Sequence, residues 1–189
     1  GFYSVFVNLP TGYELWETEP TVEVKEGKNN LLKLGVIVKS GLLAAVNQQS
    51  SLVGTAQYYN ASAANRTAYD QAYQAAKDAL TSKLTQAQVD AVRSKLETAS
   101  ADLDGKDSDI AAVKAAVEAY AATTKTGAYA NAKDRTRRAY DKAFQAVALL
   151  LVQDKVTQEQ IDTAIAQLTT AEKKLDGKAT NFTLSLIHI

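Results

Sequence analysis

The sequence predicts a mainly α-helical protein, in which two tandem three-helix bundles follow a short β fragment of a truncated β-sandwich. The first observation is a change of composition near residue 38: both prolines and the only tryptophan precede it, and an alanine-rich, proline-free stretch follows. The second is an internal repeat of about 70 residues within that stretch. The third is the spacing of apolar residues in each copy, which alternates between steps of 3 and 4 as in packed helices.

Composition excludes several classes of site. The 189 residues contain no cysteine, which removes disulfide scaffolds, cysteine-based zinc or iron–sulfur centres and thiol nucleophiles. The single histidine, His188, argues against a catalytic triad or a multi-histidine metal site. Balanced charge gives no global attraction to nucleic acid or anionic membrane, and no apolar run reaches about 18 residues. We therefore expect no enzyme activity, no cofactor, no metal, no nucleic-acid partner and no membrane insertion.

Residues 1–38 are rich in β-branched and aromatic side chains. Residues 2–9 and 21–25 are predicted strands separated by a turn at residues 10–12. Residues 26–30 are predicted to form a hairpin turn before a third strand over residues 31–38. Three strands are too few to build a two-layer core, so this segment is predicted to be the C-terminal part of a larger β-sandwich that begins upstream.

The repeat defines two helical domains, predicted at residues 39–106 and 107–178. Four short motifs occur in both copies at nearly the same separation. They are residues 58–61 with 129–132, 68–70 with 139–141, 85–86 with 157–158, and 103–106 with 175–178.

Each copy is predicted to contain three helices with one apolar stripe apiece. Because each stripe is one-sided, the three helices must close on one axis. In the first copy the stripes are Leu42, Leu43 and Val46, then Tyr69, Tyr73, Ala76 and Leu80, then Val89, Val92, Leu96, Ala99 and Leu103. In the second copy they are Ile110, Val113, Val117 and Tyr120, then Tyr140, Phe144, Val147 and Leu151, then Ile161, Ala164, Leu168, Ala171 and Leu175.

Several residues predict where helices begin and end. Thr85 with Gln88, and Thr157 with Gln160, form capping-box patterns at the start of each third helix. The predicted stop signals are Gly105 and Gly177 in the left-handed conformation, and Asp107 or Ser108 is the predicted cap of the first helix in the second copy. In the first copy, Gln49 stands where the second has Tyr120, which predicts looser packing there.

These motifs resemble the FIVAR module, a helical repeat of Gram-positive cell-wall-associated proteins. The similarity covers residues 40–178 and rests on a Tyr-x-Asn-Ala turn, an Ala-Tyr-Asp on the second helix, a Thr-Gln-x-x-Val/Ile-Asp start to the third, and a terminal Leu-Asp-Gly. Gln49, and an extra residue within 149–155, depart from the pattern. The resemblance implies an extracellular repeat at a bacterial cell surface, which adheres to a host matrix protein or an N-acetylglucosamine-type glycan.

Residues 1–38 are similar to the last strands of prealbumin-like, Cna-B or serine–aspartate-repeat B-type domains of surface adhesins. The resemblance rests on residues 1–5, 9–13 and 28–36. Some such domains carry a Lys–Asn isopeptide cross-link, of which Glu17 or Glu19 and Asn29 or Asn30 would at most be remnants. Residues 179–189 break the helical pattern and are similar to a translated sequencing adapter, so we interpret them as a non-native tail.

The candidate ligand-binding residues are Tyr58 and Asn60 in the first copy and Tyr129 and Asn131 in the second. They lie at a turn, where an aromatic face and an amide together suit a sugar ring. Tyr69, Tyr73 and Tyr140 are predicted core residues. A basic cluster over residues 133–142 is interrupted by acidic residues and favours a solvated helix face, and carboxylates near Gly105 favour helix-end capping over calcium binding.

Three classes of function remain open. The segment acts as a binding module of a surface adhesin, as a structural stalk that projects another domain, or as an accessory region of a secreted carbohydrate-active enzyme. Repeats of this kind stack as rods, so a monomeric rod segment is expected, with weak binding per repeat strengthened by many copies.

Overall fold

The computed structural model describes residues 1–16, 20–30 and 32–179. Its β segment consists of two separate antiparallel pairs, with β1 on β3 and β2 on β4. Phe2 faces Glu23 in the first pair, and Tyr13 faces Val38 in the second. The strands are β1 (Phe2–Ser4), β2 (Tyr13–Leu15), β3 (Thr21–Glu23) and β4 (Val36–Val38).

The predicted hairpin across residues 26–30 is wrong, because the strands on either side of it pair elsewhere. The Asn30 side chain accepts a hydrogen bond from the Lys25 amide at 3.0 Å and donates to the Lys25 and Lys28 carbonyls, which closes a local turn. The chain reverses instead at Gly12, whose φ of 87° suits glycine, and the Gly12 carbonyl accepts from the Lys39 amide beyond β4. Glu17, Glu19 and Leu31 lie outside the described residues.

Helices make up most of the described chain after the β segment, which confirms the predicted mainly α-helical class. The first repeat contains α1 (Ser40–Asn47), α2 (Gln49–Leu52), α3 (Ala56–Tyr59), α4 (Ala63–Thr81) and α5 (Gln86–Ala101). The second contains α6 (Ala111–Thr123), α7 (Gly127–Ala130), α8 (Asp134–Leu149), a 3₁₀ turn (Leu150–Val152) and α9 (Gln158–Lys173).

Each repeat has its own core between its three long helices, and most predicted stripe positions lie in it. Tyr69 and Tyr140 are buried at 2% and 3% exposure, as predicted. Two stripe positions are wrong: Leu151 is exposed because the 3₁₀ turn buries Leu150 instead, and Ile110 is exposed because α6 begins after it. The extra residue near position 150 therefore changes which leucine enters the core.

The helix starts agree with the sequence better than the stops. Both capping boxes are present, with Thr85 and Thr157 accepting from the amides of Gln88 and Gln160. The predicted cap of α6 is wrong: Ile110 occupies the N-cap position, and the Asp109 carboxylate accepts from the Ala111 amide instead.

The predicted left-handed conformation of Gly105 and Gly177 is also wrong. Among the described residues, only Gly12 and Gly27 have a positive φ. Helices α5 and α9 end before these glycines, and the described residues that follow each helix are neither helical nor part of a strand.

The first helix of the first repeat is interrupted, whereas its counterpart α6 is continuous. A break at Gln48 separates α1 from α2, next to the Gln49 position that departs from the repeat pattern. In the second repeat, Tyr120 stacks on Phe144 with ring centroids 3.7 Å apart. Gln49, at the equivalent position of the first repeat, has no aromatic ring and cannot make this stacking contact. The sequence difference therefore coincides with the break; looser packing of the first bundle stays a prediction.

The chain divides into two compact units, Gly1–Lys106 and Asp107–Ile189. In the first unit the β segment contacts the bundle through Lys39, a buried residue whose ammonium group lies 2.6 Å from the Glu14 carboxylate. The same ammonium donates to the Leu80 and Ser82 carbonyls at the end of α4. Within the described residues no helix is long and apolar enough to cross a membrane. The predicted tail lies, apart from Ala179, outside the described residues.

Candidate functional site

The candidate tyrosines occupy equivalent places in the two repeats. Tyr58 on α3 donates its hydroxyl hydrogen to the Asp70 carboxylate at 2.9 Å, and its ring meets the Tyr69 ring edge-on at 5.7 Å. Tyr129 on α7 donates to the Asp141 carboxylate at 2.9 Å. Its ring meets Tyr140 in the same edge-on manner at 5.9 Å. The Asp of each Ala-Tyr-Asp motif therefore anchors the tyrosine of the preceding turn.

The surroundings of these phenols favour the protonated form. Desolvation, followed by the hydrogen bond to Asp70, raises the pKa of Tyr58 above its ordinary value. Desolvation and Asp141 raise the pKa of Tyr129 in the same way. Tyr120 donates to the same Asp141 carboxylate at 3.1 Å, and burial with that bond raises its pKa further. These hydroxyls remain hydrogen-bond donors to carboxylates across the physiological range.

The candidate asparagines hold the chain where it leaves each repeat. The Asn60 side-chain amide donates to the Lys106 carbonyl at 2.6 Å, and the Asn131 amide donates to the Lys178 carbonyl at 2.6 Å. The Gly105 amide donates to the Gln57 carbonyl at 3.3 Å and the Gly177 amide to the Ala128 carbonyl at 3.1 Å. The segment after each third helix is thus fixed to the turn before the second helix.

The aspartate of the Leu-Asp-Gly-Lys motif completes this attachment. Asp176 accepts from the Lys133 amide at 3.0 Å and from the Thr136 hydroxyl at 2.8 Å, and the Lys133 ammonium group lies 3.2 Å away. The hydrogen bond from the Lys133 backbone, followed by that from Thr136, lowers the pKa of Asp176 to about 2. Asp104 accepts from the Ser62 amide at 2.8 Å, which lowers its pKa as well.

The motif requires glycine because backbone atoms of the neighbouring turn lie very close to it. A Cβ atom on Gly105 would lie 2.6 Å from the Ala61 amide nitrogen and the Gln57 carbonyl oxygen, and one on Gly177 would lie 2.6 Å from the Ala132 nitrogen. All three neighbours are backbone atoms, which cannot rotate away. We name this arrangement the exit clasp: Asn60, Asp104, Gly105 and Lys106 in the first repeat, and Asn131, Asp176, Gly177 and Lys178 in the second.

A second attachment holds the chain where it enters each repeat. The Gln86 amide oxygen accepts from the Val38 amide at 2.7 Å, and its nitrogen donates to the Val38 carbonyl at 3.1 Å. In the second repeat the Gln158 oxygen accepts from the Asp109 amide at 2.8 Å, and the Ser108 hydroxyl donates to the Val156 carbonyl.

The aspartates of the Thr-Gln-x-x-Val/Ile-Asp motif orient these glutamines. Asp90 and Asp162 accept from the Gln86 and Gln158 side chains at 3.0 and 2.9 Å. We name the Gln86–Val38 and Gln158–Asp109 attachments, with their aspartates, the entry clasp. Sequence reasoning missed this role, although the spacing of Gln and Asp by four residues on one helix face was a usable signal.

The structure brings each predicted pair together, Tyr58 with Asn60 and Tyr129 with Asn131, at one turn of its own repeat. The hydroxyl of each tyrosine and the amide nitrogen of each asparagine bond to the same repeat. Tyr58 and Tyr129 are half-buried, so part of each residue is accessible to solvent at this turn. Ligand binding by these residues stays a prediction.

The other charged clusters pair internally. In the basic cluster, Arg137 and Arg138 both lie within 3.0 Å of Asp134, and Lys133 pairs with Asp176. Near Gly105, Asp104 caps the start of α4 as described. Over the described part of the chain, no group of three or more His, Cys, Asp or Glu side chains is arranged to hold a metal ion.

The family model of the FIVAR domain matches the chain twice, at residues 38–104 and 109–176. Among solved structures, the chain is similar to EbhA (756-1003 domain) from Staphylococcus aureus, with 18% sequence identity and a TM-score of 0.35. That similarity covers 73% of this chain and 79% of the EbhA chain. No curated protein matches the chain. The two family matches together span well over half of the sequence.

Proposed function

This chain belongs to the FIVAR domain family, and from that membership we propose that it is a non-catalytic, extracellular repeat segment of a bacterial surface protein. The observation that supports this role is the repeated pair of clasps, which uses the shared motif residues to hold each bundle together. Motif residues that stabilise the fold in both copies suit a module that serves as a stable structural repeat. The favoured role is therefore a structural spacer.

Adhesion to a host matrix protein or an N-acetylglucosamine-type glycan is the second candidate. One observation favours it: both repeats present a half-buried tyrosine, Tyr58 or Tyr129, at the same turn. An aromatic ring supported by a second ring and fixed by a carboxylate is a rigid surface on which a sugar face can stack. We propose these two rings as the contact surface if the repeats bind a ligand.

A glycan and matrix-protein array probed with the whole chain separates the two roles. The informative variant is Tyr58→Ser with Tyr129→Ser, and its control is Tyr58→Phe with Tyr129→Phe, which keeps the rings and loses the bonds to Asp70 and Asp141. Binding that the Phe variant keeps and the Ser variant loses supports adhesion through the rings. Absence of binding by the unaltered chain supports the spacer, and binding that both variants keep removes this turn as the contact surface.

We also propose that residues 1–38 are the closing strands of a β-sandwich. Most of the exposed large apolar side chains in the described residues lie in this segment, including Phe2 at 76% and Phe6 at 97% exposure. A second sheet would cover such a surface. The expected result is that the chain binds a hydrophobic dye such as anilinonaphthalene sulfonate, and that Phe2→Ser with Phe6→Ser reduces this binding. Dye binding that is absent, or unchanged in the variant, contradicts the proposal.

A further inference from the structure

The two clasps of the second repeat fix the two ends of the repeat to different places in its bundle. The entry clasp ties Ser108 and Asp109 to the start of α9, beside the connection from α8. The exit clasp ties residues 176–178 to the turn between α7 and α8. Helix α8 runs between these two points, and its 16 residues span about 24 Å. The chain therefore enters at one end of the bundle and leaves at the other.

This placement decides how a pulling force would travel through the repeat. Without the clasps, tension on the chain ends would act directly on the first and last helices of the bundle, α6 and α9. Here, tension that arrives at Asp109 passes through the Gln158 side chain into the start of α9. Helix α6 therefore carries little of this load while the entry clasp holds. At the other end of the bundle, a pull on the chain after Lys178 acts first on the exit clasp, which bonds residues 176–178 to the turn between α7 and α8.

A pulling force on the exit clasp is shared by several hydrogen bonds at the same time. Residues 176–178 bond to the turn through the Asp176 carboxylate, the Gly177 amide and the Lys178 carbonyl. The Asp176 carboxylate is ionised, which strengthens the hydrogen bonds that it accepts. The bond from the Asn131 amide to the Lys178 carbonyl is short, at 2.6 Å. Three adjacent residues attached in parallel must all detach before α9 can peel from α8.

From this geometry we propose that each repeat is a load-bearing unit, whose entry and exit clasps keep it closed when the chain is pulled from its ends. The first repeat has the same two devices, with Gln86 on Val38 and Asn60 on Lys106. The inference deepens the spacer role and rests on it for its biological meaning. Its test uses no ligand, so it fails or succeeds independently of the array experiment.

The test is single-molecule pulling of the whole chain from two pairs of points. Because the sequence has no cysteine, introduced cysteines give unique attachment sites for handles. Asp107→Cys with Thr180→Cys pulls through the exit clasp. Asp107→Cys with Glu172→Cys pulls the same bundle from a point before the exit clasp. Each geometry is measured for the unaltered repeat, for Asn131→Ala and for Asp176→Asn.

Each clasp variant is expected to unfold about tenfold faster at a given force when pulled from position 180, the factor that follows from losing one strong hydrogen bond. Pulled from position 172, the variants are expected to stay within about twofold of the unaltered repeat, because the clasp then lies outside the load path. Asn60→Ala, the same change in the first repeat, should alter neither measurement. Equal acceleration from both points would mean that the clasp serves only general stability, and no acceleration from position 180 would equally overturn the proposal.

Discussion

Single side chains that occur at equivalent places in the two repeats perform the same task in both. Asn60 and Asn131 hold a lysine carbonyl, and Asp104 and Asp176 accept from the backbone at the start of the second long helix. The sequence identified the asparagines as important but assigned them to a ligand. It could not do better, because an asparagine at a turn suits a sugar and a distant carbonyl equally well, and only the folded chain brings residue 178 to residue 131.

Acid stability should depend on Asp176. Its pKa is lowered to about 2 in the folded chain from an ordinary value of 3.8, so its contribution is fully present above pH 4 and is lost as the pH falls towards 2. Asp176→Asn should therefore lower the melting temperature at pH 7 and reduce the further loss between pH 7 and pH 2.5. Thermal melts at the two pH values measure this. An unchanged pH dependence would contradict the assigned role of the carboxylate.

Gly177→Ala should destabilise the second repeat. The added Cβ would meet backbone atoms of the α7–α8 turn, including the Ala132 nitrogen at 2.6 Å, so the exit segment must move away and lose its bonds. The expected loss is about 1–3 kcal/mol, measured by urea unfolding. The matched control is Gly27→Ala, where no atom lies within 4 Å of the added carbon and only the local backbone is strained. Equal effects of the two changes would argue against close approach as the reason for Gly177.

At the scale of secondary-structure elements, the sequence was most informative where a pattern was long and local. The two capping boxes and most stripe positions along α4, α5, α8 and α9 are confirmed. Strand pairing was less predictable, because the β2–β4 sheet depends on the turn at Gly12 and on the contact of Lys39 with α4. No local sequence pattern indicates either of these two features. Connections were also missed, as the 3₁₀ turn at Leu150 illustrates.

Two leucines of the second repeat test this account of its core. Leu168 is 7% exposed and packs in the bundle, so Leu168→Ala should cost about 2–5 kcal/mol of unfolding free energy. Leu151 is 42% exposed in the 3₁₀ turn, so Leu151→Ala should cost less than about 0.5 kcal/mol. Urea unfolding of both variants provides the comparison. A large loss of unfolding free energy for Leu151→Ala, or none for Leu168→Ala, would show that different residues of these two helices face the core.

At the scale of the whole molecule, the two units differ in what accompanies their bundle. The first includes the β segment, attached through Lys39, Glu14 and the Gln86 side chain. The second consists of its bundle and the segments that enter and leave it. The composition change near residue 38 predicted a domain boundary there, which stays a prediction; contacts join residues 1–106 in one compact unit. Amino-acid composition indicates which type of secondary structure forms, but it does not indicate which elements pack against each other.

Residues 107–179 are expected to fold without the first unit. Within this range the second repeat contains its own core, its own capping box and both clasps. The isolated fragment should have a helical circular-dichroism spectrum and a single cooperative thermal transition. A disordered spectrum would mean that the bundle needs its neighbour.

The exit clasp also has a consequence for proteolysis. Lys106 and Lys178 are the basic residues that end the two repeats, and a trypsin-like protease would be expected to cut after them. Such an enzyme must take the lysine in extended form and bind its carbonyl oxygen in an oxyanion hole. Each of these carbonyls already accepts a 2.6 Å bond from an asparagine, in a segment fixed to its own bundle. Loss of the bond in Asn60→Ala should therefore speed tryptic cleavage after Lys106, because this asparagine protects the peptide bond that follows the first repeat from the protease.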